Sequence, residues 1–170
     1  MDIQVLASGS SGNCYLVSDE KTFLLLDAGI PAKEISQKTN YGLSKVSACL
    51  VTHEHGDHCK AVNELYSKYG VVSYLSKGTL AGASKRPWKI SVPVEHCESK
   101  KPFRIGSFVV FPFDVQHDAE EPLGFLLKST ETMETLLYFT DTYYLKYRFD
   151  GLNYIIAECN YVKAILEENV

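Results

Sequence analysis

His53-Glu54-His55-Gly56-Asp57-His58 places three histidines and an aspartate within six residues, directly after the apolar run VSACLVT. In an extended segment, side chains two apart point to the same side, so His53 and His55 can converge on one ion. A turn at Gly56 swings Asp57 and His58 toward a second position. Imidazole nitrogen with carboxylate oxygen is a donor set that divalent zinc, manganese or iron accepts. A lone histidine is most often an ordinary core or surface residue. Four such side chains buried together without a ligand would be costly, so metal binding explains the cluster better than packing does.

Two later residues extend the set. His117 follows the apolar run VVFPFDVQ and precedes Asp118, and Asp141 follows LLYFT. Both sit where a strand is expected to end, and active-site ligands commonly lie on loops just beyond strand ends, held by a rigid sheet. Asp141 has a second reading, as the N-cap of a helix over TYYLKYR. Asp27 also ends an apolar run and reads locally as a turn or cap residue.

The elements that must carry these residues are short. Ile3–Leu6, Cys14–Val17 and Phe23–Leu26 read as strands broken by Gly, Ser, Asp and Lys, and Pro31 suits the first turn of a helix running to Gln37. VSACLVT reads as a buried strand. Ala61, Val62, Leu65, Tyr66 and Tyr69 follow helical spacing, with Gly70 as the stop. A strand over Val71–Leu75 precedes a polar middle. FVVFPFDVQHD, LGFLLKS, TLLYFTD and YIIAEC then read as strands, and NYVKAILEEN as a closing helix. Strands with interposed helices at these spacings predict a layered α/β domain over residues 1–170.

Composition bounds the function classes. The net charge of −4 argues against broad, nonspecific attraction to nucleic acid, although local basic patches can still steer it. No apolar run reaches the length of a membrane span, and the MDIQVLASG start lacks the features of a signal peptide. Cys14, Cys49, Cys59, Cys97 and Cys159 are scattered and odd in number, which favours reduced thiols in a cytoplasm over a disulfide framework. The stretch LASGSSGNCYLV has two glycines but neither the spacing nor the Lys-Ser/Thr ending of a nucleotide-binding loop, so a hairpin turn is its local reading.

The pattern HxHxDH at 53–58, with His117, Asp141 and the strand ending in Asp27-Ala28-Gly29, resembles the metallo-β-lactamase superfamily across essentially the whole chain. The resemblance implies an αββα sandwich with two divalent metals at one edge, zinc foremost and manganese or iron(II) as alternatives. It assigns His53, His55 and His117 to the first ion and Asp57 and His58 to the second, with Asp141 bridging them. A hydroxide held between the metals would be the nucleophile, and Asp57 would orient it or accept its proton. The family usually supplies a further histidine to the second metal, and no histidine follows His117 here. The expectation is therefore a C-terminally truncated domain or an incomplete second site.

Among branches of the superfamily, SGSSGNCYLV before LLLDAG, HDAEEPLGFLL and AECNY resemble the WalJ (YycJ)-like branch, which is cytoplasmic and associated with DNA exonuclease activity. That implies a phosphodiesterase acting on DNA, most directly single-stranded DNA, with no membrane partner. Ser10, Ser11 and Asn13 would line the rim of the metal cleft and offer amides and hydroxyls to a substrate phosphate. The basic clusters Lys85, Arg86, Lys89 and Lys100, Lys101, Arg104 are either solvated loop charge or a track for the phosphate backbone, with Trp88 or Phe103 available for base stacking. Two alternatives stay open: hydrolysis of a carbon ester or thioester on the same fold, and a metal-binding fragment of weak activity.

Overall fold

Apolar side chains alternate along the strands, and the alternation sorts them onto two faces. In the computed structural model, which describes residues 1–158, this produces two stacked sheets. The first has six strands in the order β1 (Asp2–Ala7), β2 (Cys14–Ser18), β3 (Phe23–Leu26), β4 (Val46–Leu50), β5 (Ser73–Leu75) and β6 (Val94–His96). The second has five, in the order β11 (Tyr154–Ala157), β10 (Thr135–Phe139), β9 (Leu123–Ser129), β8 (Phe108–Asp114) and β7 (Phe103–Ile105).

Leu24 and Leu26 of β3 and Ala48 and Leu50 of β4 face the second sheet, where Phe108, Val110, Leu123, Phe125, Leu127, Leu136 and Tyr138 complete the inter-sheet core. The residues between them, Leu25 and Cys49, turn outward. There they pack against Ile35 of α1 (Ala32–Lys38), Cys59 of α2 (Gly56–Cys59), Val62 and Leu65 of α3 (Val62–Tyr69) and Ala83 of α4 (Lys77–Ala83). Helix α3 stops at Gly70, whose φ of 71° is the left-handed conformation that glycine adopts freely. The result is a helix layer over two sheets.

A clamp far from any candidate ligand locks the two sheets together. Asp19, in the β2–β3 turn and 2% exposed, accepts hydrogen bonds from Ser107 Oγ (2.7 Å) and Ser129 Oγ (2.6 Å) of the second sheet. It also accepts from the Thr22 amide at 3.1 Å.

Two local expectations change. The polar middle holds α4, β6 and β7, elements too short to show a period in sequence. TYYLKYR is not a helix, so Asp141 caps none. Leu145, Tyr147 and Phe149 instead pack on Phe113 and Leu137 at the outer face of the second sheet, a period of two that marks extended chain. The expected closing helix NYVKAILEEN, and Cys159 with it, lies outside the described residues. Among the described residues, no helix is long and apolar enough to cross a membrane.

Candidate metal centre

Strand direction explains why distant residues meet. β3 and β4 are parallel, so Asp27 and the His53–His58 turn leave the first sheet at the same edge. β8 and β10 both run antiparallel to β9, so the loops carrying His117 and Asp141 leave the second sheet together. β2 runs antiparallel to β3, pairing Tyr15 with Leu26, which brings the Ser8–Asn13 hairpin loop to that edge as well. Leu123 N–H donates to the Thr52 carbonyl (2.9 Å) and stitches the two sheets where the ligands emerge.

The candidate ligands form two donor sets. His53, His55 and His117 make the first, with His53 Nε2 and His117 Nε2 each 3.1 Å from His55 Nδ1. A tetrahedral zinc with Zn–N of ~2.0–2.1 Å needs nitrogens about 3.3 Å apart, so these three nitrogens fit one ion. His53, His58 and Asp141 make the second, with Asp141 Oδ2 at 2.9 Å from His58 Nε2 and 3.5 Å from His53 Nε2. Asp57 Oδ2 lies 3.5 Å from His58 Nε2 and adds a further carboxylate to that side.

Hydrogen bonding behind His53, His58 and His117 fixes which nitrogen those three present. Thr52 Oγ1 donates its single proton to Asp27 (3.0–3.1 Å), so it must accept from His53 Nδ1 (3.0 Å), which leaves His53 Nε2 bare toward the site. His58 Nδ1 donates to Asp27 Oδ2 at 2.8 Å, and His117 Nδ1 pairs with Asp118 Oδ1 at 3.0 Å. Asp27 also receives the Thr52 amide (2.8 Å) and the Tyr138 hydroxyl (2.5 Å) and is fully buried. Asp27 thus sits behind the ligands as the anchor of His58, a role its local sequence did not reveal.

The electrostatics suit cations. Burial, and then repulsion from His58, His117 and His55, push His53 down to about 2, so its imidazole is neutral and its lone pair available. Burial opposes a charge on His58, yet Asp27, then Asp141 and Asp57, raise it to about 12. A buried imidazole ringed by the carboxyls of Asp27, Asp141 and Asp57 lies where positive charge is stabilised. The hydrogen bond from His58 holds Asp57 below the usual carboxylate range. Burial works against the Asp141 charge, but the hydrogen bond and charge of His58 outweigh it and hold this carboxyl far down. Asp27 and Asp141 both adopt left-handed backbone, at φ 58° and 50°, a conformation uncommon outside glycine and concentrated at working sites.

The hairpin loop is stapled to this edge by backbone. Asn13 N–H donates to the Asp57 carbonyl (2.7 Å), Gly29 N–H to the Asn13 carbonyl (2.9 Å) and Ala28 N–H to the His58 carbonyl (2.7 Å). A Cβ on Gly29 would lie 1.6 Å from the Asp57 carbonyl oxygen, so only glycine admits this approach. Asn13 is buried, with Nδ2 at 3.3 Å from His58 Nε2, whereas Ser10 and Ser11 are exposed at the loop tip.

A match to the family model of the metallo-beta-lactamase superfamily spans residues 7–132. The chain belongs to the metallo-beta-lactamase superfamily. Exodeoxyribonuclease WalJ of Streptococcus pneumoniae is 34% identical over 154 residues, which cover 87% of this chain and 56% of that protein. Exodeoxyribonuclease YycJ of Bacillus anthracis is 31% identical over 180 residues, covering 95% and 63%. The chain therefore spans about three-fifths of the length of these curated relatives. Among solved structures, a Cronobacter sakazakii metallo-beta-lactamase with a HARLDQ motif superposes with a TM-score of 0.68 at 11% identity, over 81% of this chain and 55% of that one. The metallo-beta-lactamase fold protein YhfI of Bacillus subtilis gives 0.62 at 17%, over 80% and 60%. At these identities the structural likeness concerns the fold.

Several residues at the edge carried no signal in the sequence. Glu54, inside the histidine motif, is 2% exposed and accepts the Glu120 amide at Oε1 (2.9 Å), tying the motif to the loop that holds His117. Thr140 Oγ1 donates to Glu158 Oε2 (2.7 Å), and Glu158 joins His117, Asp141, Thr142 and Tyr143 in lining a cleft of about 370 Å³. The rings expected to stack bases are already engaged. Trp88 donates Nε1–H to the Glu54 carbonyl (2.8 Å) and packs over Gly56, and Phe103 stacks on Tyr74 with centroids 5.2 Å apart. Acidic partners also meet the basic clusters: Lys85 pairs with Glu120 (2.5 Å), Lys101 with Glu98 (2.5 Å) and Lys100 with Asp114 (3.7 Å).

Proposed function

We infer that the chain is a metal-dependent phosphodiesterase that shortens DNA from an end, with single-stranded DNA as its substrate. The adjacency of the two donor sets supports this most, since His53 belongs to both and its Nε2 lies 3.1 Å from His55 Nδ1 and 3.5 Å from Asp141 Oδ2. The 31–34% identity to proteins named exodeoxyribonuclease directs the same chemistry toward DNA.

His53, His55 and His117 would hold one ion, Asp57 and His58 the other, and Asp141 would reach both. Zinc suits the donor set best, with manganese or iron(II) accepted. Bound there, divalent ions supply Lewis acidity to phosphate oxygens and a lowered pKa to water. Asp57 is assigned the proton: its side chain is 34% exposed and His58 keeps it ionised, so it can orient and deprotonate an attacking water. Ser10 and Ser11, with the Asn13 amide behind them, are assigned to the substrate phosphate. The buried, unpaired thiols of Cys14, Cys49, Cys59 and Cys97 suit a reducing cytoplasm.

A single-stranded oligonucleotide labelled at either end tests the reading. Progressive shortening is expected, abolished by chelator and reduced about 10²–10⁴-fold in Asp57→Ala. An intact oligonucleotide alongside hydrolysis of a thioester would replace this reading with carbon-ester chemistry.

A further inference from the structure

Tyr143 leaves 77% of its surface exposed at the cleft that His117 and Asp141 line. The ring stands on a backbone tied to the neighbour of His117. Tyr143 N–H donates to the Gln116 carbonyl (3.0 Å). Gln116 N–H in turn donates to Thr142 Oγ1 (3.0 Å), which donates to the Tyr144 carbonyl (2.9 Å). The Tyr143 ring centre sits 6.5 Å from that of His117. Among the described residues its hydroxyl has no hydrogen-bond partner, and Tyr144 beside it is 56% exposed.

A large aromatic surface kept out of the core, at a fixed place beside the donor sets, is what a flat ligand needs. Trp88 and Phe103, the other rings that might stack a base, are held by Glu54 and Tyr74. Stacking on an aromatic side chain tolerates any base, because every base has a π-face. A base inside a duplex has both faces covered by its neighbours, whereas an unpaired terminal base can be splayed onto a protein ring. We propose that Tyr143 is a stacking platform for the terminal nucleobase of an unpaired DNA strand, seating the adjoining phosphate at the donor sets and selecting ends whose last base is unpaired.

This proposal rests on the phosphodiesterase reading, and its test separates the two. Metal-stripped protein is titrated into single-stranded oligonucleotides carrying 2-aminopurine at one end or the other. Fluorescence quenching at one end is expected for the wild type and for Tyr143→Phe, and its loss for Tyr143→Ala. With the metal-loaded enzyme, the kcat/KM ratio for a base-bearing over an abasic-ended strand is expected to be about tenfold or more in the wild type and Tyr143→Phe. In Tyr143→Ala the ratio is expected to fall to near one. Quenching and ratio unchanged in Tyr143→Ala overturn the stacking role while the nuclease reading stands. A wild type that degrades neither strand overturns both.

Discussion

Asp27 and His58, 31 residues apart, form a fully buried pair in which Nδ1 donates to Oδ2 at 2.8 Å. The pair sets the direction of His58 Nε2, so a residue outside both donor sets determines where one donor points. Asp27→Ala is expected to weaken metal affinity about 10–100-fold. It should also destabilise the fold by about 3–5 kcal/mol, because it leaves His58 without its buried partner. Competition against a chromophoric chelator reads the first effect and denaturant unfolding the second, and Asp27→Asn should lose less of both.

Glu54 ties the histidine motif to the His117 loop through the Glu120 amide. Glu54→Ala removes the acceptor from that amide and empties the space against Gly82, so a loss of about 1–3 kcal/mol is expected. Glu54→Gln keeps the acceptor and should retain most of the stability. Thermal unfolding of the two variants side by side checks the difference.

The HEHGDH donor cluster was legible because six consecutive residues carried it, and the hairpin reading of LASGSSGNCYLV followed from turn chemistry that is local. Asp27 was opaque for the opposite reason. Its partners Thr52, His58 and Tyr138 lie 25 to 111 residues away, and nothing in DAG specifies them. The segment after Asp141 misled because Leu145, Tyr147 and Phe149 satisfy a sheet face rather than a helix face, a distinction that depends on Phe113 and Leu137. Tyr143 carried no signal of its own within TYYLKYR; the shared direction of β8 and β10 is what places it beside His117.

Gly29 is where the hairpin loop meets the metal motif. Gly29→Ala would drive a Cβ into the Asp57 carbonyl, 1.6 Å away, so backbone must move on one side or the other. The expected outcome is at least a tenfold loss of metal affinity together with a lowered Tm, measured on the same preparation. Gly42→Ala, whose Cβ would meet nothing within 4 Å and whose backbone is not left-handed, is the control that separates site geometry from glycine chemistry in general.

The Asp19 clamp gives the fold an acid limit. Burial alone would raise this carboxyl, but the hydroxyls of Ser129 and Ser107 and the amides of Thr22 and Lys21 outweigh it and hold its pKa below the ordinary aspartate value. A carboxyl lowered in the folded state stabilises the fold fully above its unfolded pKa and loses that contribution as pH falls through the folded value. Unfolding free energy should therefore drop as pH falls below about 4–5, and Asp19→Asn should flatten that drop. At pH 7, Asp19→Ala is expected to cost about 2–3 kcal/mol, because the two hydroxyls and the Thr22 amide lose their acceptor. Urea unfolding across pH reads both.

The proposed chemistry requires that the two donor sets sharing one edge take up two divalent ions. Elemental analysis of the metal-reconstituted chain, run beside His58→Ala and His55→Ala, tests it most directly. Two ions per chain are expected in the unaltered protein, with His58→Ala and His55→Ala each losing one. One ion or none in the unaltered protein, or a content that neither substitution changes, would contradict it.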